Sequence, residues 1–305
     1  MNKPRIRLIV NPNADLGHSA QRAAEIHPII SEYEAIEWVT SDYPTHTTQL
    51  AMEAASQGYE LVIAAGGDGT VHEVVNGLMK FPPESRPRMA VVPLGSGNDF
   101  SHAIGVDPNP AAALRQAMNG TPRRVDVVRF WEPDGKQGFF VNTLGIGFDT
   151  VVTIRSRRIK LLRGFMIYLA AVIQTILLDN EAPLIDMKVD EDRRKDGLLM
   201  LVFCNGSREG GGFRVCPEAR PDDGILHYVA IRQISRLRMF RLLPEFMNGT
   251  QMKFDEVSSG TFKRIELESD RPLYIHADGE IVTGWGTDLR KLGVELLAGE
   301  LEVLT

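Results

Sequence analysis

Up to about residue 120 the chain alternates between two hydrophobic periods. Apolar runs at 5–10, 35–39, 60–65 and 88–93 have the character of strands. Between and after them, near 18–31, 45–57, 70–80 and 110–119, apolar residues recur at helical spacing. Parallel strands need helical crossovers, so this alternation predicts a parallel sheet covered by helices. Beyond about residue 124 the pattern changes to strand-like runs at 125–131, 138–144, 184–190, 197–204, 225–231, 262–268 and 272–277, joined by turn-rich segments. The reading is an α/β N-terminal domain over 1–124 and a β-rich domain over 125–289. At 305 residues the chain is long enough for two domains and a large core. No repeat or low-complexity segment suggests a solenoid or a disordered linker.

The junction at 61–80 carries the sharpest chemical signal. The apolar run Leu61-Val62-Ile63-Ala64-Ala65 leads into Gly66-Gly67-Asp68-Gly69-Thr70, and Val71, Val74, Val75, Leu78 and Met79 then share one helical face. Glycines let backbone N–H groups approach a bulky anion, the Asp adds a carboxylate, and Thr70 is placed to cap the helix. The helix dipole would point at the turn, which suits a phosphate. A second cluster, Gly95-Ser96-Gly97-Asn98-Asp99-Phe100, follows the strand-like run at 89–92. Two strand ends therefore predict one crevice at the carboxyl edge of the sheet, the usual ligand position in open α/β sheets.

With these motifs, the sequence resembles the catalytic domain family of diacylglycerol kinases, which includes sphingosine and ceramide kinases. The resemblance rests on Asn11-Pro12, the GGDGT turn with Glu73 and Asn76-Gly77, and GSGNDF at 95–100. It continues through Asn205-Gly206, Gly210-Gly211-Gly212, Pro217-Glu218-Ala219, Asp222-Asp223-Gly224 and Asp278-Gly279-Glu280. GGDGT alone is shared with NAD kinases; the ordered set across nearly the whole chain is more specific, and its size and arrangement are most similar to the stand-alone bacterial lipid kinases. The resemblance implies a β-sandwich second domain and a last stretch, 290–305 with Gly293 to Leu297, that returns to the first domain.

It also implies ATP as phosphate donor, with Mg²⁺. Asn11, Thr40, Gly66, Gly67, Asp68, Gly69, Thr70 and Ser96 form the implied nucleotide set, with Asp68 near metal and phosphates. There is no G-x-x-x-x-G-K-[ST], so the phosphates are not held by a P-loop lysine. Asn13-Ala14-Asp15 departs from the small Ser-Gly pair usual in the family and puts a carboxylate near the phosphate loop. Phosphoryl transfer to a hydroxyl needs a proton acceptor. Glu280 is the implied base, with Asp278 assisting or orienting it. A structural Mg²⁺ is implied at Asp223 with the carbonyls of Arg220 and Ile225, although an Asp-Gly hairpin turn explains the same residues.

Lys and Arg total 34 against 40 Asp and Glu, a formal charge of −6 that argues against general nucleic-acid binding. Cys204 and Cys216 are too few for a disulfide framework or a four-ligand zinc site. With an N-terminus that runs straight into a strand, this reads as a cytoplasmic protein, peripheral to the membrane at most. The seven histidines, His18, His27, His46, His72, His102, His227 and His276, show no metal spacing and read as surface or locally satisfied side chains.

On the acceptor side, Arg155, Arg157, Arg158, Lys160 and Arg163 precede an apolar stretch at 164–173, too short to span a bilayer. It reads as a buried helix, with an acyl-chain groove or a membrane-surface helix as alternatives. Arg232, Arg236, Arg238 and Arg241, set among Leu237, Met239, Phe240, Leu242 and Leu243, form a second basic-apolar segment. The sequence therefore reads as an ATP-dependent lipid kinase, with diacylglycerol the first acceptor considered and sphingoid bases, ceramide or phosphatidylglycerol as alternatives. A soluble kinase of the NAD kinase type and a nucleotide- or lipid-binding regulatory protein are the readings from other classes. Nothing in the sequence sets the oligomeric state; a homodimer is compatible with it.

Overall fold

The computed structural model describes residues 5–14, 19–33, 35–159, 161–162, 164–179 and 181–305. Asp15, His18, Lys160 and Arg163 lie outside the described residues. The chain divides into two compact units, 1–127 with 298–305, and 128–297.

The first unit is built from β1 (Ile6–Val10), α1 (Ser19–Ile30), β2 (Ile36–Thr40), α2 (His46–Ser56), β3 (Leu61–Gly66), α3 (Asp68–Leu78), β4 (Arg88–Pro93), a short α4 (Asp99–Ala103) and α5 (Pro110–Asn119). Strands β2, β1, β3 and β4 lie side by side in that order, all parallel. The apolar runs of β1, β3 and β4 are buried, with every residue of β1 and β3 shielded, as expected of a parallel sheet covered by helices, whereas β2 at the sheet edge is only partly buried. Helix α3 turns Val71, Val74, Val75 and Leu78 inward, each burial contributing about 2 kcal/mol.

The second unit is mostly antiparallel. It contains the end of β5 (Pro122–Trp131), β6 (Gln137–Phe140), β7 (Thr143–Gly147), α6 (Phe148–Ser156), α7 (Phe165–Leu178), β8 (Leu184–Val189) and β9 (Asp192–Cys204). It continues with β10 (Leu226–Arg232), α8 (Arg236–Asn248), β11 (Val257–Phe262), β12 (Arg264–Ser269), β13 (Ile275–Ala277), β14 (Glu280–Thr283) and most of β15 (Lys291–Leu304). Long β9 pairs with β8 through its first half and with β7 and β10 through its second. One hydrophobic core, around Phe140, Phe203 and Ile265, lies within the sheet layers. Another, around Val202, Phe213, Val229 and Phe246, lies beneath α7 and α8.

Two features differ from the sequence reading. The chain returns to the first unit at 298, not at 290. Residues 291–295, including Gly293 and Val294, pair antiparallel with β12 in the second unit, and only the end of β15 reaches β4, through the parallel pair Val303 and Met89. A single unbroken strand carries no change of period at that crossing. The run at 262–268 is two strands, β11 and β12, separated by Lys263.

Candidate active site

The carboxyl edge of the parallel sheet gathers the sequence-derived nucleotide set. Asn11 follows β1, Thr40 ends β2 beside Val10, the GGDGT turn follows β3, and Ser96 follows β4. The two glycine-rich turns touch. A Cβ on Gly95 would overlap the Cα of Gly67, so the close approach depends on both positions lacking a side chain. Leu94 N–H donates to the Gly66 carbonyl at 2.8 Å. Asp68 Oδ1 accepts the backbone N–H groups of Asp99 (2.7 Å) and Phe100 (3.3 Å), tying the start of α3 to the start of α4. Asn98, at φ 53°, closes the second turn through two bonds to Gly95.

Thr70 does not cap α3. The N-cap is Gly67, in extended conformation and without a side-chain bond, and Thr70 stands inside the first helical turn. Its hydroxyl is buried against the bare backbone of Gly66 and has no hydrogen-bond partner among the described residues. Asn11 shapes the first loop: its Oδ1 accepts Asn13 N–H at 3.0 Å and its carbonyl accepts the Ser19 hydroxyl at 2.7 Å. Thr40 and Ser96 are exposed, with the Thr40 hydroxyl accepting from Trp38 Nε1. A cation that the sequence reading missed, Arg22 of α1, donates to the Gly95 carbonyl at 3.1 Å and to Pro108 at 3.4 Å. It is 73 residues from its partner, so no local pattern marks it.

In the second unit, β13 and β14 form a hairpin closed by Asp278 (φ 50°) and Gly279 (φ 80°), both left-handed as in a type I′ turn. The two acids of this turn are used differently. Asp278 is buried, and its carboxylate accepts the backbone N–H groups of Val141 (3.2 Å), Asn142 (2.8 Å) and Thr143 (3.2 Å). It fixes the hairpin to the start of β7. Glu280 keeps 42% of its side chain exposed and meets Arg157, whose Nη2 also donates to the Gly279 carbonyl.

At the other implied metal position, Asp223 is exposed and its Oδ1 accepts Ile225 N–H at 3.0 Å. This is an Asx turn. The Asp223 carboxylate and the carbonyls of Arg220 and Ile225 are all oxygen donors, a set that fits a hard cation. A different group also converges. Ligand atoms of Asp149, Glu209 and His276 lie within 4.8 Å of one another. His276 is fully buried, with Nε2 at 3.0 Å from Asp149 and 3.1 Å from Glu209. The sequence reading took it as a surface or locally satisfied histidine, because its partners lie far away in the chain.

His227 and the two free cysteines interact within the second unit. Cys204 and His227 are cross-strand neighbours on β9 and β10. The hydrogen bond from Cys204, reinforced by His227, holds the Cys216 thiol down at about 5. Burial pushes Cys204 well up, and the bond to Cys216 raises His227.

Beneath α7 and α8 the second unit contains a cavity of about 90 Å³, walled mainly by apolar side chains such as Val172, Ile176, Met200, Phe213 and Leu242. Its acidic lining residues are Asp149 and Glu209. Gly210, the first of the glycine run at 210–212, belongs to this wall. Gly210, at φ 60°, underlies the Tyr168 ring, and Gly212 lies so close to Phe165 that a Cβ there would contact the ring.

The diacylglycerol kinase catalytic domain model matches residues 5–130, and the model for a YegS C-terminal NAD kinase beta sandwich-like domain matches 142–305. A Chromohalobacter salexigens protein named "Probable lipid kinase YegS-like" is 34% identical over 234 residues, 76% of this chain and 73% of that protein. The chain belongs to the diacylglycerol kinase family. A Bacillus subtilis protein named "Diacylglycerol kinase" is 26% identical over 90% of this chain and 89% of its own. The solved structure of a "putative diacylglycerol kinase" from Bacillus anthracis superposes with TM-score 0.79 at 25% identity, covering 98% of this chain and 94% of that one. As a member of this family of lipid kinases, the protein is an ATP-dependent phosphotransferase. The first model ends close to the boundary at 127, and the second covers 142–297 of the second unit together with the returning segment 298–305.

Proposed function

We propose that the protein transfers the γ-phosphate of ATP to the free hydroxyl of diacylglycerol. The observation that carries this reading is the apolar cavity beneath α7 and α8, in the same unit as the exposed carboxylate of Glu280. A soluble acceptor would have no use for such walls, whereas an acyl chain gains by every methylene it buries. Glu280 accepts the hydroxyl proton, and Asp278 holds the turn that presents it. Arg157 keeps the Glu280 carboxylate in place until the acceptor arrives.

On the donor side, the N-terminus of α3 and the backbone of both glycine turns favour the phosphates, supported by Arg22. Asn11, Thr40, Gly66, Gly67, Asp68, Gly69, Thr70 and Ser96 line that edge. Asp68 would hold Mg²⁺, which would supply positive charge to the phosphates. Asp223, with the carbonyls of Arg220 and Ile225, would hold a structural Mg²⁺.

The lipid is taken from a membrane surface. No helix among the described residues is long and apolar enough to cross a membrane. Yet α7 is apolar at nearly every position, and of its 14 residues only Ala171, Thr175 and Ile176 are buried. Met166, Ile173 and Leu177 are exposed, as is Leu237 on α8 beside exposed Arg236, Arg238 and Arg241. An apolar face rimmed by arginines suits an anionic bilayer.

The test is transfer of radiolabelled phosphate from Mg-ATP to a lipid panel in mixed micelles, with Glu280→Ala and Asp68→Ala beside the wild type. Labelled diacylglycerol, lost in Glu280→Ala at unchanged fold, supports the reading. Labelling of another lipid alone, or of NAD without lipid, overturns it.

A further inference from the structure

We infer that Asp149 and Glu209, gathered around the buried ring of His276, select the lipid head group, admitting neutral heads whose hydroxyl donates a hydrogen bond and rejecting anionic ones. The inference rests on the lipid-kinase reading above and asks what the polar end of the cavity would accept.

Both carboxylates line the otherwise apolar cavity. Each is held from its own element. Asp149 stands in the first turn of α6, where the helix dipole favours an anion. Glu209 is set by two backbone bonds with Phe213, at 2.8 Å and 3.0 Å. His276 draws them together, and the cluster lies directly on Gly145, where a Cβ would overlap both the Asp149 carboxylate and the imidazole. The packing leaves the cluster no room to retreat toward the sheet.

The cluster sets two acidic side chains against one basic ring, an excess of negative charge. On the wall of a mainly apolar cavity, that charge is weakly screened and opposes a second anion. Carboxylate oxygens are acceptors only, so the head group that satisfies them brings O–H or N–H donors. Diacylglycerol presents one hydroxyl and no charge. A phosphodiester head such as that of phosphatidylglycerol also carries hydroxyls, but its negative charge would approach the acid pair. His276 lies two residues before Asp278, so the proposed selector and the proposed base belong to one hairpin.

The experiment compares kcat/KM for diacylglycerol and phosphatidylglycerol in micelles of neutral detergent, for wild type, Asp149→Asn, Glu209→Gln and the double variant. Wild type should favour diacylglycerol by roughly 100-fold, a like-charge penalty of a few kcal/mol. The double variant should narrow that ratio at least tenfold, chiefly through a lower KM for phosphatidylglycerol, with the KM for ATP unchanged. Glu209→Asp keeps the charge and should retain the preference, which separates selection from simple damage to the fold. Equal wild-type use of both lipids, or variants that slow both in proportion, would overturn the inference while leaving the kinase reading intact. Absence of labelling on any lipid removes both.

Discussion

The crevice of the first unit is made chiefly from backbone, whereas the hairpin and cavity of the second are made from side chains. At the carboxyl edge of the parallel sheet, the distances that matter are those between Gly67 and Gly95 and between Asp68 and the N–H groups of Asp99 and Phe100. In the second unit, the acids at 278 and 280 are set apart by what surrounds them: three backbone donors for one, solvent and Arg157 for the other. A site made of backbone tolerates little change in shape and much change in side-chain chemistry. One made of side chains behaves the other way round.

The sharpest break of that contrast is Glu280→Ala. It should lower kcat by about 10²- to 10⁴-fold, the range for a general base, with an unchanged melting temperature; a variant with near-normal kcat would remove Glu280 from the reaction. Asp278→Ala should do the opposite first. Stranding three backbone donors costs about 3 kcal/mol of stability, read as a lower midpoint in urea, and an unchanged midpoint would contradict its anchoring role. In the first unit, Gly95→Ala forces the two turns apart. A strain of about 1–3 kcal/mol should weaken ATP binding roughly 10- to 100-fold by calorimetry, with lipid affinity retained. Filling the cavity with Val172→Trp should raise the KM for lipid about tenfold and leave that for ATP alone.

The smallest effect concerns Cys216. Its folded pKa, about 5, lies below the ordinary thiol value, so its contribution to stability is full above the unfolded pKa and is lost as pH falls through about 5. Thiolate absorbance in the ultraviolet should therefore persist well below pH 8 in wild type and disappear in Cys216→Ser. His227, raised by its own hydrogen bond with Cys216, contributes in the opposite sense, losing its share as pH rises through its folded value.

Much of the first unit was legible in the sequence because each of its signals is local. The strand and helix periods, the GGDGT junction and the Gly95 turn can be read within a window of a dozen residues, and the observed elements fall on them. What escaped was what the fold assembles from distant parts. Helix α6 is short and follows β7 without a break, so it shows little period of its own. The short strand β14 is visible only as the partner of β13. The Asp149, Glu209 and His276 cluster joins three segments, and Arg22 reaches Gly95 across 73 positions. Burial of α7 was expected from its composition; the outward half of that helix shows that composition alone cannot say what covers an apolar face.

The end of β15 has a consequence for the order of assembly. Leu301 and Val303 are fully buried in the first unit, Val303 pairs with Met89, and Thr305 exchanges backbone bonds with Thr121. During synthesis, the segment 128–297 is continuous and has all its strands before residues 298–305 emerge. The earlier segment must wait for those residues to fill its sheet. Domains usually fold in the order in which they leave the ribosome; here the unit begun first is completed after the second, and a chain that stalls before residue 298 leaves the edge of β4 bare.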